Sequence, residues 1–118
     1  MAKRSIVHVE IPAADREAAS QFYGEIFGWN EFDPLPFGYT YFKTGNTTGG
    51  FPDLALGSWK TDDVIIYLSS EDIDADLKAI EARGGKILIP KSEVPNMGWF
   101  AWFTDPTGNK LALFSPNT

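Results

Sequence analysis

One module is written twice in this chain, at a constant spacing of 57 positions. Val7, Val9 and Ile11 recur as Val64, Ile66 and Leu68, and Asp15 and Ala18 recur as Asp72 and Ala75. Gly28 recurs as Gly85, and Leu54-Ala55-Leu56 recurs letter for letter as Leu111-Ala112-Leu113. Two copies of so long a period are too few for a solenoid. They predict a single pseudo-symmetric domain over residues 1–118, with modules at about 5–58 and 62–116, a ligand-sized cleft between them, and chemistry to be sought at equivalent positions in pairs.

Composition narrows the functions open to such a fold. With 118 residues the chain has room for one core of moderate size. The absence of cysteine removes disulfides, thiolate metal sites and thiol nucleophiles, and fits a reducing, cytoplasmic setting. No apolar run is long enough to span a membrane, and Met1-Ala2-Lys3-Arg4 leads straight into a strand rather than into a signal-peptide pattern. Sixteen acids against ten bases give a net charge of -6, which argues against nucleic acid as a partner. An acidic surface serves solubility in the first place; a sharper use is attraction of a cationic ligand.

Periodicity gives the elements. Ile6–Ile11 alternates as a strand and Pro12 ends it; Asp15 is placed to cap a helix whose Ala18, Ala19, Phe22, Tyr23, Ile26 and Phe27 form an apolar stripe, closed by Gly28. Strands are expected near Gly28–Phe32, Tyr39–Lys43 and Gly50–Leu56. The second module repeats the plan: a strand at Val64–Leu68, a helix over about Asp72–Arg83, then strands at Lys86–Ile89, Trp99–Thr104 and Lys110–Phe114. Each module is therefore β-α-β-β-β. Alternation puts the Val7 and Val64 sets, with Leu111 and Leu113, under the helices. The other face carries Ile6, His8 and Glu10 in one module, and Ile65, Tyr67 and Ser69 with Lys110, Ala112 and Phe114 in the other. That mixture suits a pocket lining or a subunit interface.

Several runs of residues resemble the vicinal oxygen chelate superfamily of glyoxalase I, extradiol dioxygenases and bleomycin-resistance proteins. They are Val7-His8-Val9-Glu10-Ile11-Pro12, Phe22-Tyr23-Gly24-Glu25-Ile26-Phe27-Gly28-Trp29, Asp72-Ile73-Asp74-Ala75, Gly84-Gly85-Lys86, and Gly98 through Asn109 with its Asp105-Pro106-Thr107-Gly108-Asn109 turn. The resemblance covers nearly the whole chain. It implies an α+β fold in which paired β-α-β-β-β modules form an eight-stranded, half-open mixed sheet around a concave site, often in a dimer. It also implies a divalent metal held by side chains from the first and last strands of each module. Here His8 matches the first ligand position, but its repeat partner is Ile65, the last-strand position is Ala112, and the repeat partner of that is Ala55. Three of the four positions are apolar, so no cofactor is expected; Glu10 or Asp53 could approach an ion only outside the family geometry.

His8, the sole histidine, suits a general base near neutral pH or a hydrogen-bonding group that positions a ligand. Glu10 could orient it only through a bend or a water. Tyr39 and Tyr41 share a face, and the resemblance turns Phe100 and Trp102 inward, where rings can stack a planar or cationic ligand. Tyr23, Phe22 and Phe27 are expected in the core, Trp59 over the pocket or a dimer contact, and Gly45, Gly49 and Gly50 in a flexible hairpin or lid; these glycines lack the Lys-Ser/Thr of a phosphate loop. The leading expectation is a metal-independent, dimeric protein binding a small molecule through His8, Glu10, Tyr41, Tyr67, Phe100 and Trp102. The alternatives are a glyoxalase-type lyase or isomerase using His8 or a non-standard metal site, and a drug-sequestering resistance-type protein.

Overall fold

The computed structural model describes residues 3–116, so Met1 and Ala2, part of the expected lead-in to the first strand, lie outside it. The described residues form eight strands and two α-helices: β1 (Ile6–Glu10), α1 (Arg16–Phe27), β2 (Glu31–Leu35), β3 (Tyr39–Thr44), β4 (Thr47–Pro52), β5 (Ile65–Ser69), α2 (Ile73–Ala82), β6 (Lys86–Val94), β7 (Gly98–Thr104) and β8 (Lys110–Pro116). This is the α+β class and the double β-α-β-β-β plan expected from the repeat. Two compact units result among the described residues, one of residues 8–65 and one of residues 66–116 with 3–7.

In the 8–65 unit the strands lie in the order β2-β3-β4-β1, with β1 parallel to β4 and the other pairs antiparallel. The Asp15 carboxylate accepts the Ala18 N–H and starts α1; Gly28, at φ 74°, ends it in the left-handed conformation that glycine adopts without a Cβ penalty. The core is built from stacked rings. Tyr23 lies on Trp29 at 4.8 Å and Trp29 on Phe42 at 4.8 Å, and Phe51 packs against Phe42 at 4.9 Å with its plane tilted by 36°.

In the second unit the order is β5-β8-β7-β6, with β5 parallel to β8. Asp72 caps α2 through the Ala75 N–H. Ile73 and Leu77 on α2 pack with Ala101, Phe103 and Leu113, and Leu68, Ile80 and Leu111 join them. The expected helix-side layer of Leu68, Leu111 and Leu113 is thus in place. In the turn before β8, Asp105 accepts from the backbone N–H groups of Thr107 and Asn109 and from both their side chains, which holds its carboxyl down at about 2.

Several expectations need correction. The last strand of the first module is Thr47–Pro52, not Gly50–Leu56; Leu54–Leu56 is a 3-10 turn started by Asp53, whose carboxylate accepts the Ala55 N–H. The literal Leu-Ala-Leu repeat is therefore no structural repeat, because the strand ends at Pro52 and the Asp53 side chain caps the turn that follows. Gly49 and Gly50 belong to β4 and are buried, so they form no lid; only the tight Gly45-Asn46 turn joins β3 to β4. Strand β2 starts at Glu31 rather than Gly28, since the helix cap consumes Gly28. Strand β6 runs on to Val94 through Pro90, which an edge strand with register shifts tolerates. Val64 precedes β5 and is exposed. Phe22 and Phe27 are 51% and 60% exposed, so of the three helix aromatics only Tyr23 packs inward.

Candidate functional site

In the 8–65 unit the register sets His8 beside Thr48 and Glu10 beside Gly50, with Gly50 in turn opposite Tyr41. The Thr48 hydroxyl lies 2.9 Å from His8 Nδ1 and the Tyr39 hydroxyl 2.7 Å from Nε2. A neutral imidazole donates through one nitrogen and accepts through the other, so one hydroxyl donates to the ring and the other accepts from it. Burial pushes His8 down from 6.5 to about 4, which keeps the imidazole neutral at physiological pH.

Gly50 makes this arrangement possible. A Cβ built there would stand 2.0 Å from Cζ and Oη of Tyr39 and 2.2 Å from Cε1. A point nearly equidistant from those three atoms lies off the ring plane, so the phenol covers the glycine with its face. The His8 and Tyr39 planes differ by 12°, with centroids 6.4 Å apart. That separation is spanned through the phenol oxygen and Nε2, so the rings meet edge to edge rather than face on face. Tyr41 lies 6.3 Å from His8 at 22°. Three rings of similar tilt thus gather around a strand position that has no side chain. Gly49 does the same on the helix side, where a Cβ would meet Phe42 at 2.2 Å and the Val9 carbonyl oxygen at 2.4 Å.

Glu10 is 5% exposed and accepts a hydrogen bond from Trp59 Nε1 at 3.0 Å. Trp59 therefore reaches back from the segment after the 3-10 turn to the β1 carboxylate. Thr48 and Tyr39 were not among the expected site residues. The missed signal was Gly50 itself: a glycine inside a strand marks close approach by another group, and the next strand offers Tyr39 and Tyr41.

In the second unit, Tyr67, Ala112 and Trp102 stand side by side across β5, β8 and β7. Trp102 donates from Nε1 to the Tyr67 hydroxyl at 3.2 Å, and the Lys110 ammonium stands 5.0 Å from the Trp102 ring centroid. Trp102 and Tyr67 are 4% and 5% exposed, whereas Phe100, opposite Phe114, is half-buried. The ring expected to receive a ligand's cation already has one from its own unit.

The metal positions can now be assigned from pairing rather than repetition. Tyr67 pairs with Ala112, and its repeat partner Glu10 pairs with Gly50, so Gly50 rather than Ala55 corresponds to Ala112. Neither carries a donor. Both His8 nitrogens already face hydroxyls, and among the described residues no three His, Asp or Glu side chains gather to hold an ion. These residues do not fit the family's divalent metal. Asp53 is occupied as a cap and stands 3.8 Å from Arg16 Nε beside a hollow of 570 Å³ on the helix side, where Arg16 also donates to Thr40.

Two β-α-β-β-β modules with this strand order make the glyoxalase-type fold. The profile of the Glyoxalase/Bleomycin resistance protein/Dioxygenase superfamily matches residues 5–113, and the chain belongs to that superfamily. It is 31% identical over 117 residues to a glyoxylase-like domain-containing protein of Didymella fabae, covering 89% of this chain and 88% of that one. It is 27% identical over 121 residues to the putative glyoxylase CFP32 of Mycobacterium tuberculosis, covering 92% of this chain and 44% of that one. It is 26% identical over 131 residues to the anthracycline biosynthesis protein DnrV of Streptomyces peucetius, covering 89% and 44%. The chain thus spans less than half the length of these last two curated relatives. Among solved structures, a hypothetical protein from Bacillus halodurans C-125 superposes with a TM-score of 0.76 at 10% identity, covering 99% and 97% of the two chains. A superfamily member from Vibrio splendidus 12B01 gives 0.68 at 13%, covering 96% and 99%.

Proposed function

We propose that this protein binds a planar organic molecule on the His8 face of residues 8–65, without the superfamily's catalytic metal. The observation that carries this reading is the Tyr39–His8 plate laid across Gly50, with Tyr41 at similar tilt. A neutral, desolvated aromatic surface held by hydrogen bonds on both sides is suited to stacking, which contributes on the order of 0.5–1.5 kcal/mol per ring beyond area burial. Glu10 and its indole partner Trp59 supply the polar border. Of the second unit's expected rings only Phe100, half-buried, stays open to a ligand of its own; Tyr67 and Trp102 are buried and hydrogen-bonded to each other. The kinship with an anthracycline biosynthesis protein makes a fluorescent anthracycline, flat and cationic, a fitting first probe.

The test is a fluorescence titration of the wild type and of Gly50→Ala, which keeps every ligand-facing residue but displaces the Tyr39 ring. Saturable quenching that Gly50→Ala weakens at least tenfold is the expected result; equal affinity of the two proteins overturns the reading.

A lyase or isomerase reading is favoured by one feature, the 2.7 Å contact between Tyr39 and His8, along which a proton can pass. It separates from plain binding or drug sequestration at turnover: His8→Ala would abolish turnover of a ligand that it still binds. A homodimer completes the proposal, supported by the exposed Phe22, Ile26 and Phe27 on α1; analytical ultracentrifugation showing only monomer would remove it.

A further inference from the structure

In the second unit, helix α2 is anchored at its start and open at its end. Ile73 and Leu77 are buried, while Ile80, the next residue of that stripe, is only half-buried. Beside it lies a hollow of 300 Å³ floored by Leu68, Phe103 and Leu113. That volume stands at the lower end of the roughly 300–1,000 Å³ of ligand pockets. The wall contributed by Ala79 is a single methyl group, which leaves the hollow unfilled.

Its rim is basic in an acidic protein. Arg4 and Arg83 both border the hollow. Arg4 forms a bidentate pair with Asp76, one arm at 2.8 Å, and Asp76 also accepts from Ser70 Oγ at 2.6 Å; the Arg4 contact holds the Asp76 carboxyl below its usual range. That carboxylate is therefore committed. Arg83 is exposed, and its guanidinium has no ion-pair partner among the described residues. It sits just past α2, where the negative end of the helix favours a cation.

We propose that this hollow binds a small monocarboxylate with an apolar body, the chain or ring lying on Leu68, Ile80 and Phe103 and the carboxylate paired with Arg83. An apolar floor alone would accept any hydrophobe; the adjoining guanidinium selects the anion. The site is independent of the His8 face, so either proposal can fail without the other.

Octanoate titrated into methyl-labelled protein tests it by NMR. Saturating shifts are expected at the methyls of Leu68, Ile80 and Leu113, with octanol binding about tenfold more weakly. Arg83→Gln, a surface change, should lower octanoate affinity by a similar factor and leave octanol unchanged. Ala79→Phe should fill the hollow and remove both sets of shifts while the spectrum stays dispersed. Absence of saturation, equal binding of octanol and octanoate, or unchanged octanoate affinity in Arg83→Gln would each overturn the proposal.

Discussion

Helices α1 and α2 follow the first strand of their modules and are capped alike by Asp15 and Asp72, yet α2 buries Ile73 and Leu77 and α1 fully buries no residue. The units reach a core by different means. Residues 66–116 use aliphatic side chains of the helix against the sheet, whereas residues 8–65 pack the rings of Tyr23, Trp29, Phe42 and Phe51. The sheet faces away from the helices differ in the same sense. At paired positions the second unit has Ala112 beside the buried Tyr67 and Trp102, and the first has Gly50 under Tyr39. One copy of the duplicated module is filled for stability; the other is hollowed at a glycine so that rings can lie on its strand.

The sharpest way to break this contrast is in the helices. Leu77→Ala should lower stability by about 2–5 kcal/mol, as for a leucine in a packed core, measured by urea denaturation. Acid should act next, and through His8. Its folded value, about 4, lies below its unfolded 6.5, so the unfolded chain binds the proton more tightly. The His8 contribution is full above pH 6.5, declines as pH falls from about 6.5 to about 4, and changes no further below that, with a total loss on the order of 3 kcal/mol. His8→Gln should flatten the stability profile across that window.

Gly49→Ala and Gly50→Ala come third. Each inserts a methyl into an aromatic ring, at roughly 1–3 kcal/mol for overpacking. Gly49→Ala should fall at the upper end, because a backbone carbonyl at 2.4 Å cannot turn aside as a tyrosine can. A larger loss at Gly50 than at Gly49 would mean that the Tyr39 plate, not the helix-side core, holds the first unit. The smallest effect is Ile26→Ala on α1: with Ile26 61% exposed, the change should stay within about 0.5 kcal/mol in monomeric protein. A loss comparable to that of Leu77→Ala would show that α1 is covered in solution and would undo the contrast.

Much of this was legible in the residues. The aspartates, glycines and prolines that cap and break elements act locally, so both helices and the double β-α-β-β-β order followed from sequence, as did the superfamily. The errors share a cause. Leu54-Ala55-Leu56 carries the same letters as β8, but the Asp53 cap decides its conformation. Phe22 and Phe27 fit an apolar stripe as well as Tyr23 does, and hydrophobicity alone could not say which side of α1 meets the sheet.

The candidate site divides in the same way. Strand alternation placed His8 and Glu10 on one face of the first strand, and Tyr41 on a face with Tyr39. The actual partners of His8 and Glu10, namely Thr48, Tyr39 and Trp59, lie 31 to 49 positions away along the chain. Sequence by itself determined the two helices, the double β-α-β-β-β order and the apolar character of Ile65 and Ala112, because these depend on each residue's own chemistry and its near neighbours; strand pairing was needed to put Gly50 in the place given to Ala55. Only the tertiary structure decided that Tyr39 lies across Gly50 to hold His8, because strand register, not residue type, determines which distant side chain enters the space a glycine leaves open.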